Sequence, residues 1–527
     1  MPAHDATNTA PTTSGSSRGF VRPYRQLAIY LAVLSVFACG ASRLETKINP
    51  GNTYDEIPLQ LGLVKPAQNR QGQDGRLLVA VAISGGGERA ANFGIGALIG
   101  LEDIALDNPQ GKNVLTQVDM LSTVSGGGFA AAIYISSLHD FLENGGSAGN
   151  YSLTNVVAGV GPDNRFDPKV RRQLERGYED DAAGFLNPFK LTSWRVWFGN
   201  LDRTNLLEKA IDDDLLGARW RSQNADSSDP ARYSLRLRHV FIPASSPDSL
   251  YYLPHWVANA AAFENGAIFP FTPQQLKTYQ IVGYTHQLKV IEFGSQDLNS
   301  QEYEEFIFNM PLSLAVTASG NFPVALPATT LKSRLDPENP YLHLLDGGVA
   351  DNLGVISAIR FLEQNNDQNL KKLLIVVDAY KGSLGPFSTK ERAPSWSKTL
   401  TRTTNVYLDS WRGRYREITA RLCEQIDAKL VFVSFEDLAG VNDFARLKNL
   451  DYSRLKNVEL TEKEIDKLKK KQAKKLAAVQ PVTPFDLLRN IATSYNVSPD
   501  EQKLLIAAGR LVIKDREAEI KNALSSH

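Results

Sequence analysis

Apolar residues along this chain fall into short unbroken runs, each closed by glycine or aspartate and followed by a stretch with helical spacing. Residues 77–83 form one such run, bounded by Gly75 and a glycine cluster, and 118–124 form another before Ser125-Gly126-Gly127-Gly128. Runs over 342–345 and 373–377 end at Asp346 and Asp378. Such runs are too short for buried helices and do not alternate, so they predict strands covered on both faces. Helices are predicted over 90–101, 129–138 and 355–364. Strands alternating with helices predict an α/β fold with a mostly parallel central sheet and helices on both faces. Residues 151–285 read as a long, aromatic, irregular insertion around the site. Beyond Pro386 the pattern turns helical, including 416–425 around Cys423. Ser498-Pro499-Asp500-Glu501 is a capping box with proline at the first helical position.

The amino-terminal pattern is different. Residues 1–19 are rich in Ser, Thr, Ala and Gly without hydrophobic period, which predicts disorder. Arg18, Arg22 and Arg25 precede a short apolar run over 27–38, the order of a signal peptide and too short for a comfortable membrane span. The run ends Val36-Phe37-Ala38-Cys39-Gly40, which resembles the lipobox of bacterial lipoproteins, with Phe37 where a smaller residue is usual. The expectation is a signal peptide over 1–38, lipidation at Cys39, and a membrane-anchored protein of the bacterial cell envelope; a signal anchor retained in the inner membrane is the alternative. Residues 39–75 read as a linker, 76–385 as the main domain, and 386–527 as a mainly helical C-terminal extension.

Composition narrows the choice of chemistry. Lys+Arg and Asp+Glu both total 58, so no long-range field favours polyanions and nucleic acid is set aside as a partner. Two cysteines far apart in sequence, and no HExxH or CxxC motif, argue against a disulfide framework or a metal site. Three segments remain. Gly85-Gly86-Gly87-Glu88-Arg89, between a predicted strand and helix, can aim amide N–H groups at an anion beside a helix N-terminus. Gly85-x-Gly87-x-x-Ala90, with Asp103 and Asp107 downstream, equally fits a loose dinucleotide fingerprint or a plain turn. Ser125, between a strand and a small-residue helix, suits a nucleophile elbow or a helix cap. Asp346, at a strand end before Gly347-Gly348, suits a base or a turn, and Asp378 is its rival.

Together these segments resemble the patatin-like phospholipase family, whose pattern is a glycine-rich oxyanion loop with a following arginine, a Gly-x-Ser-x-Gly elbow, and an Asp-Gly-Gly or Asp-Gly-Ala motif. Ala318-Ser319-Gly320-Asn321-Phe322-Pro323 is similar to a further family stretch, and the loop is also similar to that of cytosolic phospholipases that share the dyad. The elbow departs at Thr123, where the first glycine is usual, while Gly127 keeps the second. The resemblance implies a three-layer patatin-like fold and a phospholipase A or lysophospholipase activity needing no cofactor. It implies Ser125 as nucleophile, Asp346 as acid/base, Gly85, Gly86, Gly87 and Glu88 around the oxyanion, and Arg89 at a lipid phosphate or orienting the loop. Its partners would be a phospholipid or other acyl lipid and a membrane surface; oligomeric state is left open. Histidine agrees: of seven, only His527 follows Asp346, so a Ser-Asp-His order would need the terminal residue. An inactive envelope lipoprotein and a nucleotide-binding regulator are the competing readings.

Phe185, Phe189, Trp194, Trp197 and Phe198 lie with Lys190 and Arg195 in one stretch that reads as a lid, an interfacial patch or core. The lysine-dense segment 463–475 and Asp212-Asp213-Asp214 read as a solvated helix face and a solvated turn.

Overall fold

The computed structural model describes residues 59–525 apart from 64–73, 75, 107–112, 159–202, 217–233, 242–252, 287–288, 323–325, 366, 368, 381–411, 442–443, 477–480 and 494–496. The signal peptide, Cys39, most of the linker, Asp107, the aromatic stretch 185–198, Pro323 and His527 lie outside the described residues.

Ten strands form one sheet: β1 (Leu77–Ile83), β2 (Val118–Val124), β3 (His255–Ala262), β4 (Ile268–Pro270), β5 (Ile281–His286), β6 (Lys289–Glu292), β7 (Thr329–Ser333), β8 (Tyr341–Asp346), β9 (Lys371–Asp378) and β10 (Ala428–Ser434). Their order is β10-β9-β1-β2-β3-β8-β7-β5-β6, with β4 also on β3. The helices that matter below are α1 (Glu88–Asp103), α2 (Gly126–Glu143), α3 (Arg203–Ile211), α4 (Leu312–Gly320), α5 (Val355–Gln364), α6 (412–425), α7 (Glu462–Leu476) and α8 (Pro499–Asp515). Every residue of β1 and of β2 is buried, as a strand covered by helices on both faces requires. Burying each large aliphatic side chain there contributes about 1.5–3 kcal/mol.

The sheet is mixed, parallel in one half and antiparallel in the other. From β10 through β3 neighbours run parallel, while β4, β8, β7, β5 and β6 add antiparallel pairs. The difference arises inside the stretch read as an irregular insertion, which contributes β3, β4 and β5. The β3 sequence HWVANAAA is rich in alanine and broken by Asn259, so it lacks the β-branched signature of its neighbours.

Residues on either side of the main stretch join the same core. Leu61 and Leu63 are buried, and the Gln60 N–H donates to Gln275 Oε1 (2.8 Å), so the end of the supposed linker is part of the core. The C-terminal extension is no separate layer: β10 pairs with β9 from Ala428 to Ser434. Helix α8, opened by the capping box at Ser498 and Glu501, packs on α1 at backbone contact. A Cβ on Gly96 would stand 2.2 Å from the Ile506 carbonyl oxygen, and one on Gly509 2.2 Å from that of Phe93. An ion pair between Asp103 and Arg510 closes the far end of this crossing.

Cys423 is buried, and burial pushes its thiol up to about 12, as for a small core hydrophobe. The lysine-dense segment is the solvent side of α7, where Lys467 and Lys471 pair with Asp500 and Glu501. Asp212 contradicts the expected solvated turn, being fully buried and hydrogen-bonded by the Ser234 hydroxyl. Among the described residues no helix is long and apolar enough to cross a membrane.

The α1–α8 crossing leaves no space for one methyl group. Gly509→Ala is expected to destabilise the protein by about 1–3 kcal/mol, the usual range for overpacking, read as a lowered midpoint in chemical denaturation.

Candidate active site

Strand β2 delivers Ser125 at the turn into α2, and the turn is strained. Ser125 has φ 49° and ψ −123°, a conformation ordinarily left to glycine and costing about 1–3 kcal/mol for other residues. Packing enforces it. The Ser125 N–H donates to Ser319 Oγ (2.9 Å), and the Gly128 N–H donates to the Ser125 carbonyl (2.9 Å). A Cβ on Gly126 would meet the Gly87 carbonyl oxygen at 2.0 Å, and one on Gly127 the Ile83 carbonyl oxygen at 2.5 Å. These two glycines let the elbow rest on the loop after β1. Thr123 sits below that contact, fully buried, with its hydroxyl accepting the Trp256 indole N–H (2.9 Å). The substitution therefore leaves the elbow intact and supplies a partner for a buried indole.

Asp346 reaches the same rim by a route the parallel pattern did not anticipate. Its strand β8 runs antiparallel to β3 and pairs only with Ala260, Ala261 and Ala262, the part of β3 that extends past β2. Val124 pairs with Asn259 and Asp346 with Ala260, so serine and aspartate stand at adjacent levels on either side of β3. The Ser125 hydroxyl lies close enough to favour the charged form of Asp346, and the Gly348 N–H donates to Asp346 Oδ1 (2.7 Å). Burial outweighs both and pushes this carboxyl up to about 6. Among the described residues it has no histidine partner.

Asn259, which the sequence reading missed, sits between the two. Its amide donates to Ser122 Oγ (2.9 Å) and the Thr123 carbonyl (3.0 Å), its Oδ1 accepts from Ser357 Oγ (2.5 Å), and its own carbonyl accepts from Ser319 Oγ (2.7 Å). Ser319 also takes the Gly347 N–H on its carbonyl (3.1 Å), so one asparagine and one serine span both halves of the site. The available signal was a lone amide inside an alanine-rich strand.

The glycine loop lies against Ser125: a Cβ on Gly85 would stand 3.3 Å from Ser125 Cβ. Gly85 is not an oxyanion donor, because its N–H already donates to the Asn352 carbonyl (3.0 Å). Gly86 (φ 145°) and Gly87 (φ 61°) turn the chain into α1, and no acceptor among the described residues takes their N–H groups. Glu88 is buried and its Oε2 accepts the Val497 N–H (3.1 Å). Arg89 is neither a surface residue nor directed at open solvent. Its Nε donates to the Ala379 carbonyl (2.9 Å), and one terminal nitrogen donates to Thr493 Oγ1 (2.7 Å) and the Ile491 carbonyl (3.4 Å). Burial brings its guanidinium down to about 10, opposed by Asp378 and Tyr380.

The rival carboxylates are occupied. Asp378 Oδ2 accepts from Arg412 Nε (2.6 Å), and its Oδ1 from the Tyr380 N–H. Asp351, also raised to about 6 by burial, accepts the N–H groups of Leu353, Gly354 and Ile356 at the start of α5. Asp103, the ribose-binding candidate of the nucleotide reading, is paired with Arg510. No group of side chains among the described residues is arranged to hold a metal ion.

A strained serine beside a raised carboxyl and two open amides occupies the segment matched by the family model described as patatin-like phospholipase, residues 81–359. The chain belongs to the patatin-like phospholipase family. It is therefore related to lipid ester hydrolases. Among solved structures it is similar to human GIVD cytosolic phospholipase A2, at 14% identity and a TM-score of 0.38, covering 85% of this chain and 60% of that one. The patatin-like chain thus spans about 60% of the length of that structure. Among curated proteins none matches it.

Restoring the family's glycine at the elbow is expected to harm this chain. Thr123→Gly strands the Trp256 indole N–H, at a cost of about 1–3 kcal/mol, whereas Thr123→Ser keeps the acceptor. Thermal unfolding should separate the two.

Proposed function

We propose that this patatin-like chain is a phospholipase A or lysophospholipase that cleaves a fatty-acyl ester with Ser125 as nucleophile and Asp346 as its proton partner. The observation that carries the reading is the meeting, at adjacent levels on either side of β3, of a conformationally strained serine and a buried carboxyl held near 6. A carboxyl at that value is mostly ionised at neutral pH yet basic enough to take a proton in passing.

Ser125 Oγ adds to the ester carbonyl carbon as its proton passes to Asp346. The oxyanion that develops faces the N–H groups of Gly86 and Gly87, each worth about 3 kcal/mol in comparable sites. The C–O bond to the alcohol then breaks, the alcohol leaving with the proton from Asp346. Water attacks the acyl-serine, again giving its proton to Asp346, and the fatty acid departs as Ser125 recovers its hydrogen.

A fluorophosphonate probe is expected to label Ser125 in the wild-type protein and nothing in Ser125→Ala, with fatty-acid release from mixed phospholipids lost in parallel. Labelling elsewhere, or release that survives the substitution, overturns the assignment.

The Asp346 role predicts a pH dependence with a defined sign. Below about pH 6 the carboxyl is protonated and kcat/KM should fall about tenfold per unit. Its folded-state pKa lies above the usual 3.8, so the stability it contributes is present below 3.8 and lost as pH rises through about 6. Asp346→Asn should therefore melt above wild type at pH 8 while losing turnover. Retained turnover would reassign the base.

We further propose that the protein works tethered to the envelope membrane through acylated Cys39, a reading supported by the Arg-rich flank, the apolar run and Ala38-Cys39. Wild-type protein should incorporate a palmitate analogue and fractionate with membranes, and Cys39→Ser should do neither.

A further inference from the structure

The family match ends at residue 359, yet the loop that opens the site is gripped from beyond residue 490. Both side chains that follow Gly87 point there. Glu88 accepts the Val497 N–H and Arg89 donates to Thr493 and Ile491. Farther along α1, Gly96 and Gly100 receive Ile506 and Ile513 of α8, and Asp103 at its end pairs with Arg510. The helix whose first turn fixes the direction of the Gly86 and Gly87 amides is thus held at its start, middle and end by one C-terminal segment. At the start, Arg89 also donates to the Ala379 carbonyl, just past the end of β9, so the guanidinium joins the loop to the sheet rim as well.

We infer that Ile491, Thr493, Val497 and helix α8 position the oxyanion loop, through Arg89 and Glu88, and that Thr493 is a positioning residue. The inference rests on the reading of Gly86 and Gly87 as oxyanion donors. Thr493 touches neither Ser125 nor Asp346. It holds a buried cation whose guanidinium packs against Gly86: a Cβ there would lie 3.0 Å from an Arg89 terminal nitrogen. Without the Thr493 acceptor, the guanidinium must find another partner, and the two amides move with it.

Thr493→Val and Thr493→Ser test this in the full-length protein. The valine variant should lower kcat on a soluble short-chain ester about tenfold, the order expected for one hydrogen bond to a charged group, with KM within about twofold, as for an interaction made only in the transition state. Its rate of fluorophosphonate labelling should drop in step, because phosphonylation develops charge at the same amides. The serine variant should restore both, with the wild-type thermal midpoint. Valine activity and labelling within twofold of wild type would overturn the positioning role while leaving the Ser125 assignment standing. A kcat loss that tracks a fallen melting temperature, unrelieved by serine, would also overturn it in favour of plain stability. Wild-type protein that neither labels nor turns over would instead bring down the functional reading, and this inference with it.

Discussion

The meeting of Ser125 with Asp346 joins two strands that are not neighbours. It exists because β3 lies between them: β2 pairs with one edge of β3 as far as Val124, opposite Asn259. β8 pairs with the other edge from the opposite direction, and Asp346 falls opposite Ala260, one residue farther along β3. Asn259 and Ser319 tie the backbone on each side into one network. Register, rather than any single side chain, sets the distance between the two functional groups.

Two unfavourable features meet at this rim, a serine in a left-handed backbone conformation and a carboxylate drawn out of water. Each costs about a few kcal/mol, and each persists because the surroundings leave no alternative. Gly126 and Gly127 have their α-carbons against carbonyl groups of the β1 loop, and the Asp346 turn is bonded through Asn321, Ser319 and Gly348. Tight packing of this kind converts the stability of the whole sheet into preorganisation at one corner of it.

Much of this was legible in the chain. Strands β1 and β2 and helix α5 have the limits that hydrophobic runs and their punctuation imply, and the three glycine-bearing segments sit together as their family resemblance requires. What stayed hidden had weak local signals. Strand β3 is mostly alanine, β10 lies in a region of helical periodicity, and the antiparallel course of β8 depends on a partner strand too faint to recognise. Nor does sequence say which amide is already spoken for: Gly85 and Gly86 look alike as letters, but only the carbonyl of Asn352, brought across from the far side of the aspartate motif, distinguishes them. Arg89 was similarly ambiguous until its partners, some four hundred residues away, were in view.

The pairing of β10 with β9 bears on how the chain can be cut. A fragment trimmed to the main domain expected from sequence, ending near residue 385, would leave β9 as an outer strand. Its KKLLIVVD sequence would then present a row of unpaired amides and carbonyls flanked by aliphatic side chains, an invitation to stack with another copy. The last strand covers that border, so the single sheet of this protein extends well beyond the segment matched by its family.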